Sequence, residues 1–226
     1  MLVGKTITDA TIKTDYPDLE EKKYPEYLAK EALSQVSQGA FREEGIKTVN
    51  GLKHNYGNGI STKICMFNAT GQTLTKLHEG SWHGRWYDGF DPSIWNGQCS
   101  AVLHVHSSGG VRGSTGYLVY RIENINLDVF IGWDTPFSGG PTNTFRVEMR
   151  KQDHWWNEGK ENYMKELVEN GWKSDIPNNQ QDFSTTFFTE DKTKIDCTGH
   201  LEGTIDQESS SMLIVTLSLK DFKYPS

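Results

Sequence analysis

The sequence predicts a mainly β protein: an antiparallel β-sandwich of residues 58–226 carrying an N-terminal helical segment, residues 1–57, packed on it. Two observations predict this. From residue 60 onward, runs of β-branched and aromatic residues of strand length recur between Gly, Asn and Pro. No helical pattern of 10 to 15 residues separates successive runs there, which argues against a parallel βαβ sheet and for a sandwich or barrel. The 226 residues suffice for one large core, since single-core units reach about 200 to 250 residues.

The elements follow in order. In "YPEYLAKEALSQVSQ", Leu28, Ala32, Leu33 and Val36 recur at helical spacing, Pro25 suits a first turn and Gly39 ends the helix. Phe41, Ile46, Val49, Leu52 and Tyr56 mark a looser second helix that stops at Gly57 and Gly59. Strands are expected at "STKICMF", "QTLTKL", "SAVLHVH", "GYLVYRI", "DVFIGW", "TFRVEM" and "MLIVTLSL". A polar insertion near 151–181 interrupts them, with one short helix suggested by Tyr163, Met164, Leu167 and Val168. "FNATGQTLT" reads as a tight hairpin turn built from Asn68, Thr70 and Gly71, and "GGVRGSTG" as a hairpin loop.

Composition narrows the function. With 23 Lys and Arg against 30 Asp and Glu, the formal charge is −7, so the surface repels nucleic-acid backbones and anionic lipid at long range. No apolar run approaches the roughly 18 residues of a membrane-spanning helix. Cys65, Cys99 and Cys197 form no C-x-x-C pair, which argues against a disulfide scaffold and fits a reducing compartment. The opening residues lack a secretory-signal pattern, so a cytoplasmic location is the expectation, although a processed chain would read the same way.

Two constellations carry chemistry. In "LHVH", His104 and His106 project from one face of a strand, and His83 adds a third imidazole, a set that suits zinc or copper. The pair resembles the cupin metal motif, but the Glu that follows there is replaced by Ser and Gly. The second constellation is "WHGRWYDGFDPSIWNGQ", with Trp82, Trp86, Tyr87, Phe90 and Trp95 around Arg85, Asp88 and Asp91. Such plates hold a sugar ring or a cationic head group by stacking and cation–π contact; equally, Trp82 and Trp95 can plug the ends of a sandwich. The sequence shows neither a nucleophile elbow nor a Ser-His-Asp order.

The blocks "YGNGISTKICMFNATGQTLT", "WHG", "NGQ", "LHVHSSG" and "GSTGYLVYR", in that order and spacing over about residues 40 to 150, resemble the plant jasmonate-induced protein family of 23 kDa type. That resemblance implies a cytosolic stress or defence protein without established enzymatic activity. "FNATGQTLT", Ile94 with Asn96 and Gly97, and "WDTPFSGGPTNTF" resemble the aegerolysin and actinoporin-like β-sandwiches, which implies lipid binding. The expected function is therefore non-enzymatic recognition of a lipid head group or glycan. Trp82, Trp86, Tyr87 and Trp133 would hold the ligand, with polar help from Arg85, Asp88 and Asp134 and no cofactor. The alternatives are a metal-binding protein or metalloenzyme using His83, His104 and His106, and a structural partner protein without a small ligand. Homo-oligomerisation stays open.

Overall fold

The computed structural model describes residues 1–37, 39–89, 91–107, 113–125, 127–136, 143–155, 160–174, 179–188, 194–203 and 210–219. The chain opens with β1 (Leu2–Val3), α1 (Asp9–Asp15), a 3-10 turn (Glu21–Lys23), α2 (Tyr24–Ser37) and α3 (Ala40–Tyr56). It continues through β2 (Ser61–Ala69), β3 (Leu74–His83), β4 (Arg85–Trp86), β5 (Ser93–Ile94), β6 (Cys99–Val105), β7 (Ser114–Ile122), β8 (Leu127–Thr135) and β9 (Asn143–Lys151). It closes with α4 (Lys160–Glu169), β10 (Trp172–Ser174), β11 (Asn179–Phe188), β12 (Lys194–Gly203) and β13 (Ser210–Leu219).

Among the described residues these strands form two sheets. Sheet A runs in the order β1-β6-β2-β13-β12-β11, with β4 also on β6, and sheet B in the order β10-β9-β8-β7-β3-β5. The main core lies between them: Ile64, Met66, Val102, Leu213 and Val215 of sheet A meet Leu118, Tyr120, Val129, Ile131, Trp133 and Val147 of sheet B. The sandwich expected from the strand rhythm is thus present. One pairing departs from an all-antiparallel arrangement, because β13 lies parallel to β2, with Ser210 opposite Ser61 and Ser218 opposite Ala69.

Both sheets are also covered on their outer faces. Helix α2 buries Tyr24, Leu28, Ala29, Ala32 and Val36, the stripe expected from a 3.6-residue period. Helix α3 lies across β6 and β2, where a Cβ on Gly45 would come within 3.0 Å of Cys99 Sγ and 3.1 Å of the Phe67 ring. Cys65, Phe67, Cys99, Ala101 and Ile214 are buried on the helical side of sheet A. On sheet B, Met164 and Val168 of α4, together with Trp155, pack on Tyr117, Val119 and Phe130. Every residue of β2 and β6 is therefore buried, rather than alternate ones. Each fully buried large apolar side chain contributes roughly 1.5–3 kcal/mol. The outer layers thus add to stability as the inter-sheet core does.

The first of the two turns read as hairpins is a corner instead. β2 and β3 belong to different sheets, as do β6 and β7, so neither turn joins paired strands; within the Gly/Ser stretch, residues 108–112 lie outside the described residues. At the first corner Asn68 Oδ1 accepts from Thr70 N (3.1 Å) and Thr70 Oγ1 (2.7 Å), forming an Asx turn. Its Nδ2 donates to Gln72 O and Ile94 O, both at 2.7 Å. Asn96 completes the corner: its Oδ1 accepts from Gly71 N at 2.9 Å and its Nδ2 donates to Leu28 O at 2.9 Å. Two buried amides thus tie α2, β2 and β5 together.

Candidate functional site

The residues singled out in the aromatic loop are placed by a second corner. Strand β3 belongs to sheet B, yet β4 pairs with β6 of sheet A, and the crossing occurs at Gly84. Gly84 has φ +102°, and a Cβ there would stand 2.5 Å from Val105 O, so a side chain is excluded on both counts. Arg85 then pairs with Val105, Trp86 with His104, and Tyr87 N donates to Leu103 O at 2.9 Å. Alternation along this extended segment sends Trp86 toward the inter-sheet core and Tyr87 to the outer face of sheet A.

On that outer face an aromatic rim forms. Tyr56, the last residue of α3, meets Tyr87 edge-on at 5.5 Å between ring centroids and His106 at 6.2 Å. Lys53 Nζ lies 5.3 Å from the Tyr56 ring centre and donates to Gly57 O (3.0 Å) and Gly59 O (2.7 Å). This ammonium caps the C-terminal end of α3, where carbonyls lack helical partners and the dipole favours a cation. Gly59, at φ +135°, leaves the space that a Cβ would take from His106 Nε2, 2.6 Å away. Burial raises the Tyr56 phenol pKa, and the nearby Arg85 charge opposes that rise. Arg85 is exposed, donates Nη1 to Trp86 O at 3.3 Å, and has no carboxylate partner among the described residues. Asp88, also exposed, accepts from Gly89 N at 2.8 Å.

Inside the sandwich mouth, behind the rim, Trp86, His104 and Trp133 contact one another edge to face, with centroids 4.9, 5.4 and 5.2 Å apart. His104 is fully buried and both ring nitrogens are engaged, Nε2 with Ser81 Oγ and Nδ1 with Ser114 Oγ, each at 2.8 Å. The chain of polar groups continues from Ser114 to Thr62 (2.8 Å), Thr135 (2.8 Å) and Ser211 (2.5 Å), crossing between the sheets. Burial pushes the His104 pKa down to about 3. The imidazole is therefore neutral, donating through one nitrogen and accepting through the other.

That arrangement does not bring the three imidazoles of the metal reading together. His104 has no free lone pair to offer, His106 Nδ1 is bound to Ser107 O at 2.9 Å, and His83 lies on β3 of the other sheet. Among the described residues no group of three or more His, Cys, Asp or Glu is placed to hold a metal ion. Ser81 with His104 has the spacing of a nucleophile and base, but an imidazole held near pKa 3 accepts a proton poorly at neutral pH.

The remaining expected ligand residues are not on the rim. Trp133 is 1% exposed and belongs to the inter-sheet core. Trp82 packs against Tyr117 at 5.1 Å on the outer face of sheet B, facing α4 and not the rim. Asp134 lies on the same outer face, where Thr115 Oγ1 donates to it at 2.6 Å; burial raises its pKa, while Thr115 and His83 pull it down. Trp95 does not plug a sandwich end, being 53% exposed. Phe90 lies outside the described residues. Arg85, Tyr87 and Asp88 thus stay together at the rim, Trp86 turns inward onto Trp133, and Trp82 and Asp134 lie on the outer face of sheet B.

Sequence reasoning missed Tyr56 and Lys53, because both sit in a stretch legible only as a covering helix. Their signal is the Gly57 and Gly59 pair, which marks a helix end pressed against something. A cavity of about 350 Å³ lined by Asp9, Ala10, Lys13, Glu21, Tyr24 and Pro25 involves none of the rim residues.

Comparison with known proteins gives this site a context. A family described as Nakanori-like protein matches residues 3–198. The 23 kDa jasmonate-induced protein of Hordeum vulgare is 38% identical over 142 residues, covering 61% of this chain and 67% of the barley protein. The crystal structure of the lipid binding protein Nakanori superimposes with a TM-score of 0.78 at 26% identity, covering 96% of this chain and all of that one. The resemblance to the jasmonate-induced proteins read from the β-strand blocks is therefore upheld, and the chain belongs to the Nakanori-like family.

Proposed function

We propose that this chain is a non-enzymatic recognition protein of plant stress or defence that holds the head group of a membrane lipid at the rim of Tyr56, Arg85, Tyr87 and Asp88, with Trp86 packed behind it. The observation that carries the reading is the full-length likeness to a protein whose structure is described as lipid binding. The rim offers chemistry of the right kind, since amphipathic rings beside charged groups suit the boundary between headgroups and water. Among the described residues no helix is long and apolar enough to cross a membrane, so the reading is one of contact at the surface. A neutral, fully engaged His104 supports a role without catalysis. Free, buried Cys65 and Cys99 are compatible with a cytoplasmic location.

Vesicle sedimentation tests the proposal. Wild-type protein should pellet with vesicles of at least one lipid class, and Tyr56→Ala and Tyr87→Ala should each weaken retention by about 2- to 30-fold, the range given by the loss of one contact of about 0.5–2 kcal/mol. Melting temperatures should stay close to wild type. A wild type that pellets with no phospholipid, sphingolipid or glycolipid vesicle would sink the reading.

A further inference from the structure

Cys65 and Cys99 lie together beneath α3. Cys65 on β2 stands opposite Ala101, and Cys99 on β6 stands opposite Phe67, so the two are diagonal neighbours on the helical side of sheet A. Both thiols are free and 0% exposed. The Cys99 thiol is hydrogen-bonded to Cys65; burial, together with that contact, pushes its pKa well above the ordinary value. A thiol held protonated and out of water is a poor nucleophile, so the closed molecule leaves the pair inert. The cover is α3, whose Gly45 lets the helix backbone lie directly on the sulfur, since a Cβ there would come within 3.0 Å of Cys99 Sγ. That cover is thin. Of the 17 residues of α3 only Gly45, Val49, Leu52 and Lys53 are buried, whereas every residue of β2 and β6 is. Few buried apolar contacts mark the segments that open at a lower free energy than the whole fold.

We infer that Cys65 and Cys99 are a reversible oxidation site gated by α3: when the helix lifts, hydrogen peroxide converts the pair to a disulfide that staples β2 to β6. One sulfur, deprotonated once exposed, attacks a peroxide oxygen and becomes a sulfenic acid, and the displaced hydroxide takes up the thiol proton as water. The second sulfur then attacks the first, the S–S bond forms, and the sulfenic oxygen leaves as a second water. The two thiols thus give up two electrons and two protons, and the peroxide ends as two waters. Diagonal positions stand about 7–8 Å apart, the long limit for such a bond, so β2 and β6 draw together slightly and a dithiol reductant reopens the bridge readily. Cys99 opens β6, whereas the rim stands at the far end of that strand, so the oxidation needs no lipid.

Peroxide treatment of the reduced full-length protein tests this, with samples quenched in N-ethylmaleimide and read by intact mass and peptide mapping. Wild type should lose the mass of two hydrogens and yield one linked peptide, Cys65 to Cys99; dithiothreitol should restore both thiols. Bridging should be at least about tenfold faster in Gly45→Ala, whose new Cβ presses the helix off Cys99. Equal rates in the two proteins would overturn the gate. If Gly45→Ala does not fold, wild type in sub-denaturing urea replaces it. The bridging rate should then rise together with hydrogen exchange of residues 40–56 while β7 and β8 stay protected. A rate that rises only when β7 and β8 also exchange would overturn the inference, because bridging would then need the whole fold to open. Oxidation to sulfinic acid without a bridge, a bridge to Cys197, or no bridging in any folded sample would equally overturn it.

Discussion

Trp86 and Trp133 meet edge to face, 5.4 Å between centroids, one at the mouth of the sandwich and the other inside it. Trp133 is 1% exposed, whereas Trp86 is only partly buried against the same core. Removing each should therefore give different losses. Trp133→Ala should destabilise by about 3–5 kcal/mol in urea titration, the range for a large buried aromatic, and Trp86→Ala by distinctly less. Equal and small losses would mean that the inner indole is not part of the core.

Gly84 fixes where the rim starts. Gly84→Ala would force a Cβ to 2.5 Å from Val105 O at φ +102°. About 1–3 kcal/mol of stability should be lost, and vesicle retention should fall because Arg85 and Tyr87 are displaced together. Unchanged retention in a folded variant would show that β4 does not set the rim.

Acid stability should report on His104. Its folded pKa is about 3, below the ordinary value of about 6.5 expected in the unfolded chain. The unfolded state therefore binds a proton first: the contribution of His104 is complete above pH 6.5 and is lost as pH falls from there toward 3. The slope in that window approaches about 1.4 kcal/mol per pH unit for this one group. His104→Gln should be less stable at pH 7 but show a shallower fall between pH 6 and 4 in denaturant titrations. A parallel slope in the variant would assign the acid sensitivity elsewhere.

At the Asn68 corner, substitution by Asp is more informative than by Ala. Asp keeps the acceptor used by Thr70 but turns an oxygen toward Gln72 O and Ile94 O, where Nδ2 now donates at 2.7 Å. Asn68→Asp should destabilise by at least about 2 kcal/mol, since two buried carbonyls lose their donor and face a carboxylate. A near-neutral result in thermal denaturation would show that the corner does not depend on this amide.

Periodicity made part of this molecule legible. Helices α2 and α3 announced themselves through Leu28, Ala32 and Val36, and through Val49 and Leu52, because each had one apolar face to bury. The strands from β2 to β9 were visible for the related reason that Ile64, Val102, Leu118 and Ile131 recur in short runs between turn residues. β11 and β12 were not read, since "NQQDFSTTFF" and "KIDCTGHLEG" hold no continuous apolar run. The corner at Asn68 reads as a hairpin because turn chemistry records that the chain reverses, not which sheet it enters. Likewise composition marked Trp86 and Trp133 alike, and only packing separates the plate at the mouth from the one in the core.

The parallel pairing of β13 with β2 has a consequence for synthesis. Ser61 and Ser210 are neighbours in the sheet, yet the ribosome makes one about 150 residues before the other, at roughly 5–20 residues per second. For several seconds β2 has antiparallel β6 on one side and an unfilled hydrogen-bonding edge on the other, with Ile64 and Met66 awaiting their cover. An edge of that kind invites pairing with a second nascent chain. Folding in the cell would then depend less on how fast the sandwich closes than on what shields β2 until its last neighbour emerges.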